Sequence, residues 1–138
     1  MQYVSVGRRL VAAIVDSVIV FFGFGFPLAA LAGKVSSSPA GVEFHLEGGA
    51  AFALFGLCFA YYIAMEAMLG TTIGKALLGL RVRTTDGNRI GWTAALVRNL
   101  VRIVDVCFAM IGAILIWTSP RRQRLGDRAA GTVVVARA

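Results

Sequence analysis

Apolar residues run almost unbroken from Leu10 to Leu31 and again from Ala50 to Leu69, each stretch close to the roughly 20 residues that a helix needs to cross a bilayer. Asp16 interrupts the first stretch, and Gly23, Gly25 and Pro27 come after it, a composition that kinks a helix or ends it early. Arg8 and Arg9 precede it and it is longer than a signal-peptide core, so it is expected to stay as a membrane helix. Gly33 to Gly49, with Ser36, Ser37, Ser38 and Pro39, has the composition of a polar loop. Its one basic residue, Lys34, stands against Glu43 and Glu47, which places the loop outside. The second stretch carries small residues at Gly49, Ala53, Gly56, Ala60, Ala64 and Ala67. That ridge either admits a neighbouring helix closely or is ordinary alanine-rich helix. Glu66 falls one turn before the end, where Gly70 is a natural stop.

From Gly70 to Trp92 the basic residues Lys75, Arg81, Arg83 and Arg89 predict a cytoplasmic segment. Within it, Ile73, Ala76, Leu77 and Leu80 suit a short amphipathic helix on the membrane surface. Leu80, Val82 and Thr84 then alternate with Arg81, Arg83 and Thr85, and Asp86-Gly87 precedes Asn88 to Trp92, the pattern of a β-hairpin. Ala94 to Thr118 holds Arg98, Arg102 and Asp105 in its first half, which leaves Val106 to Trp117 as its uninterrupted apolar run. Such a run suits a re-entrant segment better than a full crossing. A single crossing would also put Arg121, Arg122, Arg124 and Arg128 outside, against the positive-inside rule. A broken helical hairpin with both ends cytoplasmic is therefore expected, and β-prone Thr132 to Val135 could then pair with the cytoplasmic β element.

One spacing argues for a full crossing instead. Arg9, Asp16 and Gly23 recur as Arg98, Asp105 and Gly112, each Arg and Asp about 10 Å apart along one helix face. The likeness equates the final segment with the first span. A carboxylate at such a depth costs roughly 2.5 to 3.5 kcal/mol on insertion scales, so it needs a partner or a task.

Composition changes the picture in one respect, the meaning of charge. With 58% hydrophobic and 15% charged residues the chain is expected to be one small membrane domain over residues 1–138, without a separate catalytic domain. The net charge of +7 comes from residues flanking apolar segments, so anionic lipid headgroups are the expected counter-charge and nucleic acid is not. Cys58 and Cys107 each sit in an apolar run and suit small core positions, while His45 stands alone in the polar loop. No metal or cofactor is expected. Gly70-Thr71-Thr72-Ile73-Gly74-Lys75-Ala76 has one residue too few between its glycines for a phosphate-binding loop and Ala76 where Ser or Thr should hold magnesium. No nucleophile has a base at recognisable spacing, so enzymatic activity is not expected.

The charged membrane residues remain. Asp16, Glu66 and Asp105 lie at depths that Arg9, Arg98 and Arg102 can reach, with cross pairs such as Arg9 to Asp105 and Arg98 to Asp16. Such pairs either lock helices together or form a path in which a carboxylate exchanges its Arg for a proton or Na⁺. Asp127, in Gln123-Arg124-Leu125-Gly126-Asp127-Arg128, lies outside lipid. It either caps a turn or binds Arg, or it forms a cytoplasmic mouth to the site.

Arg9 with Ala12 and Asp16, Glu66 followed by Gly70 to Lys75, Gly79 to Val82, Asp86-Gly87, Arg98, Arg102 with Asp105, and Gln123 to Asp127 with Ala130, Thr132 and Val134 together resemble an RDD-family membrane protein. The resemblance covers essentially the whole chain. It equates Arg9 and Asp16 with the arginine and first aspartate that name the family, and leaves the second between Asp105 and Asp127. It implies a multi-pass protein of a bacterial or archaeal inner membrane, some members being linked to Na⁺/H⁺ antiport. The expected fold is an all-α bundle of two transmembrane helices plus a broken or re-entrant third segment, with a short cytoplasmic β-hairpin and a cytoplasmic N-terminus. The expected function is transport of a small cation or solute through the site of Arg9, Asp16, Glu66, Arg98, Arg102, Asp105 and Asp127. The alternative is a scaffold or accessory subunit in which the charges only lock packing. A homo-oligomer or a membrane partner protein is expected, because so few short segments enclose little volume.

Overall fold

The computed structural model describes residues 2–32, 35–44, 48–107 and 109–136, and the side chains of 44 and 105–113 fall outside that description. Lys34, His45 and Glu47 therefore lie outside the described residues, as do the side chains of Asp105 and Cys107.

The first apolar stretch forms one helix over Val6–Leu31, built from α1 (Val6–Val20), a π-helical turn (Phe21–Gly25) and α2 (Phe26–Leu31). Where the sequence predicts a kink or an early end, the helix runs on through that π turn. Pro27 has no N–H to give the carbonyl of Gly23, and the Phe26 N–H reaches back five residues to Phe21 O. A β-hairpin comes next, β1 (Val35–Ser38) and β2 (Gly41–Phe44), within what the sequence marks as a polar loop. The turn residues Pro39 and Ala40 sit between two strands too polar and short to signal themselves.

The second apolar helix, α3, spans Gly48–Leu69. Gly70 ends it with φ +66° and donates its N–H to Glu66 O at 3.0 Å. The chain then turns straight into α4 (Ile73–Leu77) and β3 (Leu80–Thr84), with the Gly70 carbonyl accepting from Val82 N at 2.6 Å. Ile73 and Leu77 of α4 stay exposed, as an amphipathic surface helix requires.

The β element at Leu80 is present, but its partner is not the stretch after Asp86-Gly87. The turn itself closes, with Gly87 N donating to Thr84 O at 2.9 Å, yet residues 88–91 form no strand. Instead β3 pairs antiparallel with β4 (Thr132–Ala136), Val82 opposite Val134. Ile90 is drawn into the core at 2% exposure and α5 starts at Trp92, so too little chain remains for a return strand. The three consecutive valines 133–135 are all buried and provide the better partner. Val4 donates to Val134 O at 3.3 Å, adding the N-terminal segment to the same edge. The core under this sheet comprises Val4, Ala12, Leu80, Val82, Ile90, Ala95 and Val134.

In the last apolar stretch the described residues form α5 (Trp92–Cys107) and α6 (Ala109–Thr118), and α7 (Leu125–Ala129) follows. Ile116 and Trp117 near the end of α6 share a cavity of about 540 Å³ with Ser5, Val6 and Gly7 at the start of α1. The β3–β4 sheet, the end of α3, the start of α5 and the end of α6 are thereby gathered at one end of the molecule.

Gly70 has two constraints where Gly79 has one. Both have a left-handed φ, but a Cβ on Gly70 would lie 3.2 Å from Val82 O, whereas one on Gly79 meets nothing within 4 Å. Gly79→Ala is expected to cost about 1–2 kcal/mol, the penalty of the left-handed conformation for a residue with a Cβ. Gly70→Ala should lower the unfolding midpoint of the detergent-solubilised protein further than Gly79→Ala does.

Candidate functional site

Two buried carboxylate centres lie side by side at that end, and α4 touches both. Asp16, Glu66, Arg98 and Asp127 are each at most 1% exposed. At such burial each acceptor oxygen and each guanidinium hydrogen needs a partner.

Asp16, in the third turn of α1, is held by neutral donors. Its Oδ2 accepts from the Thr72 hydroxyl at 2.5 Å, and its Oδ1 from the Gly74 N–H at 2.7 Å and the Tyr61 hydroxyl at 3.4 Å. Thr72 is the N-cap of α4, its hydroxyl oxygen accepting from Lys75 N at 3.4 Å while its hydrogen goes to Asp16. The Gly-Thr-Thr-Ile-Gly-Lys segment is thus an anion-binding turn whose anion is the chain's own carboxylate. Gly74 is required by this approach: a Cβ there would collide with Ala12 O and lie 2.8 Å from Asp16 Cγ.

The second centre is ionic. Glu66 on α3 accepts from Lys75 Nζ on one oxygen, and on the other from Arg98 Nε and Asn99 Nδ2, each at 3.1 Å. Arg98 spans to Asp127, its Nη1 lying 2.5 Å from Asp127 Oδ1 and 2.7 Å from Thr132 Oγ1. Arg9 Nη1 reaches Asp127 Oδ2 at 2.7 Å, and Arg124 Nε lies 3.7 Å from Oδ1. Asp127 also accepts the Arg124 N–H at 3.3 Å, closing the first turn of α7. Gly126 lets α7 lie on α5, since a Cβ there would come within 2.8 Å of Arg98 O. Burial would push the Asp127 carboxyl up, but Arg98, Arg124 and Arg9 together hold it below the ordinary carboxylate range. Burial pulls Lys75 down to about 8 against the opposing pull of Glu66.

Of the residues singled out in the sequence, Arg9, Glu66, Arg98 and Asp127 meet in one network. Asp16 stands beside it with different partners. Arg98 and Asp16 do not pair, because Thr72 and Gly74 occupy Asp16 while Glu66 and Asp127 occupy Arg98. Arg9 is paired with Asp127. Arg102 lies apart, its guanidinium 3.9 Å above the Tyr62 ring. The Asp105 side chain is outside the described residues. Lys75, Thr72, Gly74, Asn99, Arg124 and Thr132 complete the centres, although the sequence does not single them out as site residues. For Thr72, Gly74 and Lys75 the signal lies in the near-match to a phosphate loop.

Asp127→Asn keeps the shape but leaves Arg9 and Arg98 facing a neutral amide. It is expected to cost about 3–5 kcal/mol, the usual penalty for breaking a buried pair, read as a lowered unfolding midpoint in detergent. Lys75 should also contribute stability that rises between about pH 8 and 10.5, because over that window the unfolded chain holds a proton on Lys75 that the folded one has released. Lys75→Met should flatten that rise in a pH series of thermal unfolding.

Comparison with known proteins bears on the whole chain. Residues 3–131 match the family model described as "RDD family". Two curated relatives, both named "Proline-rich antigen homolog" and from Mycobacterium tuberculosis strains CDC 1551 / Oshkosh and ATCC 25618 / H37Rv, are each 31% identical over 71 residues. The match spans 51% of this chain and 30% of each relative. No solved structure matches. With two apolar helices of 26 and 22 residues and a family match from Tyr3 to Gly131, the chain is a membrane protein that belongs to the RDD family.

Proposed function

We propose that the chain moves a monovalent cation or a proton across a bacterial or archaeal inner membrane, with Asp16 as the exchanging carboxylate and the Glu66–Arg98–Asp127 network as its fixed frame. One observation carries this reading. Asp16 is buried in a membrane-length helix with hydroxyl and amide donors, whereas Glu66 and Asp127 are each engaged by at least two cations. A carboxylate neutralised by Lys and Arg has no need of a further ion; one held by neutral donors takes its compensating charge from a bound cation or proton.

In this reading α5 and α6 enter the membrane and return. The pairing of β4 with β3 and the approach of Trp117 to Gly7 support it, and so does the gathering of Lys75, Arg81, Arg83, Arg121 and Arg122 at that end, which would face the cytoplasm with the N-terminus. Anionic lipid headgroups are the counter-charge of that basic face. Gly49, Ala53, Gly56 and Ala60 form an exposed small-residue face on α3, which supports a second copy or a membrane partner there. No catalytic activity is part of the proposal.

The second reading, a scaffold or accessory subunit, is favoured by the network itself, whose cross-links between α1, α3, α5 and α7 would fasten helices with or without transport. Ion movement separates the two. Pure protein in liposomes under an imposed pH gradient is expected to dissipate it when Na⁺, K⁺ or Li⁺ is added, and Asp16→Asn to slow this at least tenfold while staying folded. A folded Asp16→Asn variant with wild-type flux, or a wild type with none, would sink the exchange reading.

A further inference from the structure

Between α3 and α5 lies a cavity of about 240 Å³ lined by Phe55, Cys58, Phe59, Tyr62, Asn99, Arg102 and Ile103. Its walls are not uniform. Tyr62, Asn99 and Arg102 make a polar end next to Glu66, and Phe59 and Phe55 lie about one and two turns back from Tyr62 toward the start of α3. One group at the polar end lacks the partner its chemistry demands, and another is a cation. Asn99 is 2% exposed and its amide N–H groups are spent on Glu66 and Ala95 O, yet its Oδ1 is buried with no donor. Because both neighbours of the amide nitrogen are acceptors, the amide cannot be turned round to satisfy the oxygen. Arg102 has the Tyr62 ring beneath it, and no carboxylate among the described residues lies within ion-pair distance.

We infer that this cavity binds the headgroup end of an anionic phospholipid, its phosphate on Arg102, an adjacent headgroup hydroxyl donating to Asn99 Oδ1, and its chain along Phe59 and Phe55. The order of the lining selects this class: an oxyanion for the guanidinium, a donor for the orphan acceptor, and an apolar tail for the aromatic end. A volume below the roughly 300–1,000 Å³ of drug-sized sites suits one end of a chain molecule. The site is independent of ion movement through Asp16.

Native mass spectrometry of the full chain released from phosphatidylcholine nanodiscs doped with phosphatidylglycerol tests it. The wild type should retain phosphatidylglycerol over phosphatidylcholine. Arg102→Gln should reduce that retention about tenfold, the weight of one charge-assisted hydrogen bond. Phe59→Trp, which fills the apolar end and leaves every charge in place, should reduce it as well, and decides the matter if Arg102→Gln fails to fold. Arg122→Gln, in a different cavity, should leave it unchanged. Retention that is unselective, that survives Arg102→Gln or Phe59→Trp in folded protein, or that falls equally with Arg122→Gln would overturn the site. Displacement of the lipid by soluble glycerol phosphate at equal concentration would overturn the role of the chain.

Discussion

Taking a guanidinium or a carboxylate out of water costs several kcal/mol per ion, and Arg98 is where this chain meets that cost. Fully buried, it is shared between Glu66 of α3 and Asp127 of α7, so one side chain of α5 joins α3 to α7. Remove the sharing and neither carboxylate keeps its full set of partners. Around this link the described residues place four cations, Arg9, Lys75, Arg98 and Arg124, against two carboxylates, Glu66 and Asp127. Buried pairs of this kind seldom add net stability over a well-packed apolar core. What they supply is discrimination: a helix that arrives in the wrong register leaves a charge in lipid, a far larger penalty than a misplaced leucine.

The two centres differ in kind because α4 serves them with different atoms. Thr72 and Gly74 offer a hydroxyl and a backbone N–H to Asp16, and Lys75, the next residue, offers a full charge to Glu66. A five-residue helix is too short to hold itself. Its position is set by Asp16 on one side and Glu66 on the other, while Ile73 and Leu77 rest at the surface. Any displacement of α4 therefore changes the solvation of Asp16 and the neutralisation of Glu66 together, which couples the neutral centre to the ionic one through a single short helix.

Much of the scaffold is legible in the sequence, because membrane helices are written in continuous hydropathy and their ends in single residues. Gly70 ends α3 where its sequence position predicts, and Asp16, Glu66, Arg98 and Asp127 stand out as costly charges that need partners. Which partners they take is not legible. Asp16 finds Thr72 across 56 residues and Arg98 finds Asp127 across 29, and no local spacing encodes such meetings. Charge complementarity suggests Arg98 for Asp16. The turn at Gly70 to Lys75 offers neutral donors at closer quarters, and its glycine spacing invites comparison with a phosphate loop rather than with a carboxylate of the same chain. The β element shows the same limit. Asp86-Gly87 is a true turn, but the core claims the next residues through Ile90, and the buried valines near the C-terminus complete the sheet instead. The hairpin at Val35 to Phe44 carries too little apolar alternation to announce itself.

The long reach of the Arg9 to Asp127 pair, 118 positions apart, has a consequence for biogenesis. During synthesis α1 enters the bilayer long before its acidic counterpart exists. Glu66 waits only nine positions for Lys75, then 32 for Arg98, so its neutralisation proceeds in the order in which the chain emerges from the ribosome. Arg9 has no such interim companion among the described ion pairs. A nascent chain with both long helices inserted still carries a naked guanidinium at the membrane edge until Asp127 has been made. Incomplete or misfolded copies thereby expose a charge that the finished fold pairs and largely buries.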